Sequence, residues 1–309
     1  MKYILFFITF VLLTACTEKQ SDGIDANAVQ GAPVVIASNY PLYFFTQKIA
    51  GDVIDVRFPE IDGDPAMWAP GGQQSADLQK ADLLILNGAG YESWLAFTTL
   101  PGGQLLDTTT NVQAMLLPIE NEAIHQHGPA GKHSHEGTAF TTWLDPQLAI
   151  EQARSIMQGL SQLEPKQAGL FNTNFEELKL QLGQLDQSLA QAFSRLGDQP
   201  IIFSHPVYQY LQHRYRINGR SMHWEPEVEP GTKEWIGFGN LLREHPATLM
   251  LWEASPIDSV KNKLEQLGVV SMEFNPAGNL PDQGNYFSVM NQNVIRLNLL
   301  LSEASEQTK

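Results

Sequence analysis

The stretch IHQHGPAGKHSHEGTAFTTWLDP, residues 124 to 146, holds four of the chain's eight histidines: His125, His127, His133 and His135. They form two H-x-H pairs separated by Gly128, Pro129 and Gly131, a composition that excludes a regular helix and presents the imidazoles on a loop over 124–136. Imidazole nitrogen suits zinc better than manganese or calcium, so the pairs read as a metal-capture loop. The plainer alternative is a hydrophilic surface tract.

A second group of candidates lies at the ends of apolar runs. His205 closes PIIFSH (200–205), His223 and Glu225 close INGRSMHWE (217–225), and Glu253 closes TLMLWE (248–253). In open parallel sheets ligands collect beyond the carboxyl ends of the strands, where an imidazole and carboxylates from neighbouring strands make an ordinary zinc set. A carboxylate after a buried run is costly unless it meets a cation, a helix N-terminus or a metal. His205 reads equally well as a helix-start histidine bonded to backbone, and His213 and His245 read as solvated helix ends. No GxxxxGK[ST] phosphate loop is present, NGAGYE (87–92) lacks the third glycine of a dinucleotide fingerprint, and Ser204-His205 lacks a nucleophile elbow. The residues therefore argue for a binder and not an enzyme.

The elements that must position these residues alternate. VVIAS (34–38), VIDVRF (53–58) and LLILNG (83–88) read as strands, with helices over 42–50 and near 75–80 between them. Residues 147–163 predict a helix. After Pro165 a longer one runs to about Leu196, with Leu178, Leu182, Leu185, Leu189 and Phe193 on one face. Roughly thirty residues at 1.5 Å each give a rod of about 45 Å. Strand and helix then alternate again through VVSMEF (269–274) to a last helix from about Asn285. The pattern predicts an α/β fold of two Rossmann-like α/β lobes bridged by one long rigid helix: an N-terminal lobe over 33–164, the linking helix over 165–197 and a C-terminal lobe over 198–309.

Of the 309 residues 43% are hydrophobic, enough for two lobes with cores, and the net charge of -15 makes nucleic acid an unsuitable partner. The chain opens MKYILFFITFVLLTACTEKQ, one lysine, an apolar run and small residues, which is the pattern of an export signal over 1–15. The run is shorter than the ~20 residues of a membrane span. Leu13-Thr14-Ala15-Cys16 resembles a bacterial lipoprotein signal, with Cys16 as the lipidation site. Cys16 is the one cysteine, so no disulfide framework competes for it. Residues 16–32, small and polar, then tether a monomer to the membrane on the periplasmic or cell-surface side.

Several stretches together resemble the zinc or manganese solute-binding lipoproteins of bacterial ABC importers: ASNYPLYFFTQKIAGD (37–52), ADLLILNGAGYESWL (81–95), the His-rich loop, WLDP (143–146), the long helix, IIFSHPVYQYL (201–211), WEPEVEP (224–230) and NYFSVMNQN (285–293). The resemblance implies two α/β lobes on one helix, a metal held between them, and delivery to an ABC permease and its ATPase subunit. It also implies four ligands. The first follows a D-P pair, where GDPAMWAP (63–70) has Ala66, and the second lies two residues before Trp143, where the chain has Thr141. The third is His205 in FSHPVY; the fourth falls near Gly284 to Asn285, with Asp282 the nearest carboxylate. Zinc usually takes four protein ligands in a closed site, so replacements are sought among His133, His135, His223, Glu225, Glu253 and Asp282. Thr141 is six residues beyond His135, so the loop can fold back. The expectation is a Zn2+ site built from loop histidines and His205 with Glu253 or Asp282, Mn2+ and Cu2+ being the competing ions. Two alternatives are a metal chelate or organic solute held against Trp68, Trp143 and Trp224, which also read as core, and a zinc hydrolase with Glu253 as base.

Overall fold

The structure, a computed structural model, describes residues 31–307 apart from 60, 62, 64, 120–124, 127–131 and 134–136. The export signal, Cys16, most of the tether, His127 and His135 lie outside the described residues.

Two four-stranded parallel sheets organise the chain. In the first lobe β1 (Val34–Ala37), β2 (Asp55–Arg57), β3 (Leu83–Leu86) and β4 (Leu105–Asp107) lie in the order β2-β1-β3-β4, with α1 (Tyr40–Ala50) and α2 (Gly72–Lys80) as crossovers. A short antiparallel ribbon, β5 (His125–Gln126) with β6 (Lys132–His133), sits in the His-rich loop. Then come α3 (Pro146–Leu163) and α4 (Ala168–Ser194). The second lobe follows with β7 (Ile201–Phe203), α5 (Gln209–Tyr215), β8 (Gly219–Ser221), α6 (Thr232–Glu244), β9 (Leu249–Trp252), α7 (Asp258–Gln266), β10 (Val270–Glu273) and α8 (Tyr286–Gln307), its strands ordered β10-β9-β7-β8. The unbroken apolar runs of β7 and β9 are buried throughout, as strands covered on both faces require. No helix among the described residues is long and apolar enough to cross a membrane.

The expected linking helix is α4. It is shorter than 165–197 because Pro165–Gln167 forms a separate 3-10 turn and the α-helix ends at Ser194. Its 27 residues span about 40 Å. Phe171, Phe175, Leu178, Leu182, Leu185 and Leu189, spaced alternately four and three apart, form one buried stripe. That stripe packs on α1 and α3 of the first lobe and on α5 and α8 of the second. One apolar core therefore runs through both lobes, from Val35 and Phe45 to Phe203, Phe274 and Tyr286.

Two expectations change. Of INGRSMHWE only Gly219–Ser221 is strand, although the Met222 and Trp224 amides still donate to Phe203 O and Ser204 O, both at 2.8 Å, and carry the chain along β7. His245 is not solvated: it ends α6 beneath β7, 6% exposed, with Nε2 at 2.9 Å from Ile201 O. His213 is exposed in the last turn of α5, as expected.

One charged cluster ties lobes and spine together. Arg214 of α5 pairs with Asp186 of α4 at 2.5 Å and approaches Asp145, the N-cap of α3, at 3.5 Å; Gln147 and Tyr215 also donate to Asp186. Burial alone would raise the Asp186 carboxyl, but the bonds from Arg214, Gln147 and Tyr215 outweigh it and hold it below the usual range. A depressed carboxylate adds stability above its unfolded value of ~3.9, and that stability is lost as pH falls. Arg214→Ala is therefore expected to cost roughly 1 to 3 kcal/mol in urea unfolding at pH 7, with the deficit shrinking below about pH 4. Equal stability of variant and parent at pH 7 would show that the cluster contributes nothing.

Candidate metal site

Both sheets change direction at their centres. In the second lobe β7 leads to β8 on one side and β9 lies on the other, so the crevice opens where β7 and β9 end, and His205 and Glu253 stand beside it. Backbone pairing sets their register: the Ser204 amide bonds Leu251 O and the Trp224 amide bonds Ser204 O, each at 2.8 Å. These bonds bring the residues after β7, β8 and β9 side by side. His205 Nδ1 lies 3.3 Å from Glu253 Oε1, and His205 Nε2 lies 3.6 Å from Glu225 Oε1. The His223 ring stands edge-on to His205 with centroids 5.8 Å apart. His205 is 17% exposed, Glu253 27% and Glu225 40%, so the group faces solvent from a partly buried root. Because the two carboxylates flank opposite ring nitrogens, this ring orientation does not offer all three to one ion. Among the described residues no three His, Cys, Asp or Glu side chains form a ready metal set.

The corresponding crevice of the first lobe is filled from within. After β1 come Ser38 and Asn39, and after β3 comes Asn87. Ser38 Oγ donates to Glu92 Oε1 at 2.5 Å, as does the Asn87 amide at 2.6 Å, and the Gly88 amide donates to Glu92 Oε2 at 3.1 Å. Asn87 Oδ1 accepts from Asn39, Thr142 and Gln152, while its Nδ2 donates to Phe140 O at 2.8 Å. Asn39 also caps α1, accepting from the Leu42 amide at 2.9 Å. Gly88, at φ +75°, keeps this turn tight: a Cβ there would lie 2.0 Å from Asp107 Oδ1. Glu92 drew no role from the sequence, where NGAGYE was read as an incomplete dinucleotide motif and as part of a family-like stretch; a carboxylate five residues after the asparagine that follows a buried strand was the available signal.

The remaining predicted positions divide. Thr141, where the resemblance implied a ligand, is 5% exposed and reaches the second lobe, donating to Val207 O at 2.6 Å. Ala66 lies in a 3-10 turn over Pro65–Met67 and packs against the core. Asp282 is exposed, in the segment before α8. Asn285 instead starts α8, its Oδ1 accepting from the Ser288 amide at 3.2 Å. His125 stands opposite His133 in the β5-β6 register, one histidine from each pair. Trp143 and Trp224 are 2% and 3% exposed, and Trp68 packs edge-on against Trp94 at 5.6 Å. Trp143 and Trp224 are thus core, for the ordinary reason that large rings gain most by burial, while Trp68 is partly buried against the Trp94 cluster.

Two parallel α/β lobes packed on one long helix, with His205, Glu225 and Glu253 grouped at the strand ends of the second, define a two-lobed α/β fold on a helical spine. Within it the chain belongs to the ZnuA family, described as the zinc-uptake complex component A, periplasmic, whose model matches residues 35–298. It is 27% identical over 301 residues to the zinc-binding lipoprotein AdcA of Streptococcus pneumoniae (strain ATCC BAA-255 / R6), which covers 92% of this chain and 57% of AdcA. The chain thus spans little more than half the length of that relative. With the high-affinity zinc uptake system protein ZnuA of Bacillus subtilis (strain 168) it shares 24% identity, covering 92% of each. Zn(II)-bound AdcA from Streptococcus pneumoniae has the same fold, with a TM-score of 0.72 at 22% identity over 88% of this chain and 57% of that one. The metal-dependent lipoprotein YcdH from Bacillus subtilis matches at 0.72 and 21% over 87% and 98%. The family is one of zinc-uptake components and not of enzymes, which removes the hydrolase alternative.

Glu92 supplies a pH test of the first-lobe network. Burial pushes its carboxyl up to about 7 from 4.5, against the opposing hydrogen bonds from Ser38, Asn87 and Gly88. The folded state then holds a proton that the unfolded chain has released, so stability falls as pH rises from about 4.5 through 7. In Glu92→Gln that part of the decline, on the order of 2 to 3 kcal/mol, should vanish from urea unfolding at pH 5 and pH 8. Parallel pH profiles for variant and parent would contradict this account of Glu92.

Proposed function

We propose that this chain is an exported lipoprotein that captures zinc at the His205 end of its second lobe and delivers it to an ABC permease and its ATPase subunit. The observation that carries the reading is the bracketing of His205 by Glu253 at Nδ1 and Glu225 at Nε2, at the switch point of the sheet. A ligating histidine is ordinarily oriented through its other ring nitrogen by a carboxylate or carbonyl, which fixes its tautomer. Glu253 takes that part and leaves Nε2 toward the ion. Two atoms bound at 2.0 to 2.2 Å to a tetrahedral ion stand about 3.4 Å apart. The 3.6 Å between His205 Nε2 and Glu225 Oε1 matches that spacing, so Glu225 is assigned as the second ligand.

The remaining positions fall to His223 and to loop histidines His133 and His135, in place of the residues replaced by Ala66 and Thr141. His125 and His127 complete a capture set on the loop. A set dominated by imidazole favours zinc over manganese, with copper the strongest competitor in the Irving-Williams order. Lipidation of Cys16 holds the monomer on the periplasmic or cell-surface side of the membrane.

Calorimetric titration of metal-free protein lacking Cys16 tests the assignment. The parent should take one tight zinc, His205→Ala should bind at least about 100-fold more weakly, and Glu253→Gln, which loosens the imidazole, roughly 10- to 100-fold more weakly. Undiminished stoichiometric binding in His205→Ala would sink the reading.

A further inference from the structure

A cleft of about 470 Å³ opens on the flank of the spine, between α4, the start of α8 and the last turn of α1. That volume lies in the range of sites that hold small organic molecules, roughly 300 to 1,000 Å³. The cleft stands apart from the His205 group, none of whose residues lines it. Its apolar part is Leu185, 3% exposed, and the half-buried ring of Phe287, which Phe44 and Tyr286 hold edge-on with centroids 5.5 Å away. The rest is carboxamide and hydroxyl. Gln181, Gln184 and Ser188 come from α4, where spacings of three and four put them on one face, and Asn285 and Asn291 come from the start of α8. The Gln181, Gln184 and Asn291 side chains make no hydrogen bond among the described residues, so their donors and acceptors are all available. Asn285 has its Oδ1 taken by the Ser288 amide, which leaves its Nδ2 to donate. Lys48, its ammonium 5.6 Å from the Phe44 centroid, is the one ionised side chain among the described residues of the lining. In a chain of net charge -15, a lining with a cation and no carboxylate selects against metal ions.

These groups choose a ligand by their chemistry. A carboxamide both donates and accepts, which matches a hydroxyl, itself donor and acceptor. Hydroxyls along the edge and C–H groups on the face are the make-up of a pyranose ring, and that face suits the apolar ring of Phe287. An ammonium beside them is answered by a carboxylate, through a charge-assisted bond. We infer that the cleft between α1, α4 and α8 binds a sugar acid, with its carboxylate on Lys48, its hydroxyls on Gln184 and Asn291, and its C–H face on Phe287. The inference uses no residue of the His205 group and is independent of the zinc reading.

Calorimetry and saturation-transfer NMR of the purified protein with glucuronate, glucose and a hyaluronan oligosaccharide test it. The variants are Lys48→Ala, Asn291→Ala and Phe287→Leu, and thermal unfolding of each checks that it is folded; Lys48 and Asn291 are exposed, so their variants are expected to fold as the parent does. The parent should bind glucuronate about tenfold or more tightly than glucose, the order of one hydrogen bond to a charged group. Lys48→Ala should lose that preference, and Asn291→Ala and Phe287→Leu should weaken both sugars. Binding of the oligosaccharide alone, with the same dependence on Lys48 and Asn291, would support the inference and identify the source as an acidic polysaccharide and not a free sugar acid. No binding of any of the three would overturn it, as would glucose bound as tightly as glucuronate or sugar binding indifferent to Lys48→Ala and Asn291→Ala.

Discussion

The contact between Glu253 and Nδ1 of His205 joins the ends of β9 and β7, and the character of the second lobe depends on it. Glu253 follows four buried residues, where an unaccompanied carboxylate would be costly. His205 follows three buried residues of the neighbouring strand and supplies the partner. The pairing is fixed by backbone register and not by side-chain reach, since Ser204 N bonds Leu251 O. Register in turn depends on the sheet, and the sheet on the apolar stripe of α4, which belongs to the core of both lobes. The adjacency of His205 and Glu253 is thus a consequence of burial far from the site.

The two lobes share a topology and use it differently. At the first switch point, side chains of Ser38, Asn39, Asn87 and Glu92 satisfy one another and the strand-end amides, leaving the crevice closed. At the second, His205 and the carboxylates face outward with part of their surface in solvent. The first lobe contributes rigidity: its network holds Phe140 and Thr142, and the segment between them carries Thr141 onto Val207. The second switch point, unlike the first, therefore presents an imidazole and two carboxylates to solvent.

Most of the fold was legible because strands covered on both faces must be written as apolar runs and the spine as a stripe spaced four and three. VVIAS, LLILNG, PIIFSH and TLMLWE each contain their strand, and Leu178 to Phe193 gave the buried side of α4. The strand-end rule placed His205, Glu225 and Glu253 together, but it could not say which carboxylate meets which ring nitrogen. That depends on a rotamer. His245 misled because a histidine at a helix end is usually solvated, whereas here the helix end tucks beneath β7. The contact of the Tyr210 hydroxyl with the first lobe gave no signal, since its partners are the backbone groups of Leu117 and Ala139, and backbone partners leave no mark in the residue types.

The most direct test of the central claim is a crystal of the protein grown with zinc and measured at the zinc absorption edge. An anomalous peak is expected at about 2.0 to 2.1 Å from His205 Nε2, shared with a Glu225 oxygen, while Glu253 remains on Nδ1. A peak bound only by residues remote from His205, or one bound through Nδ1 with Glu253 as co-ligand, would contradict the claim.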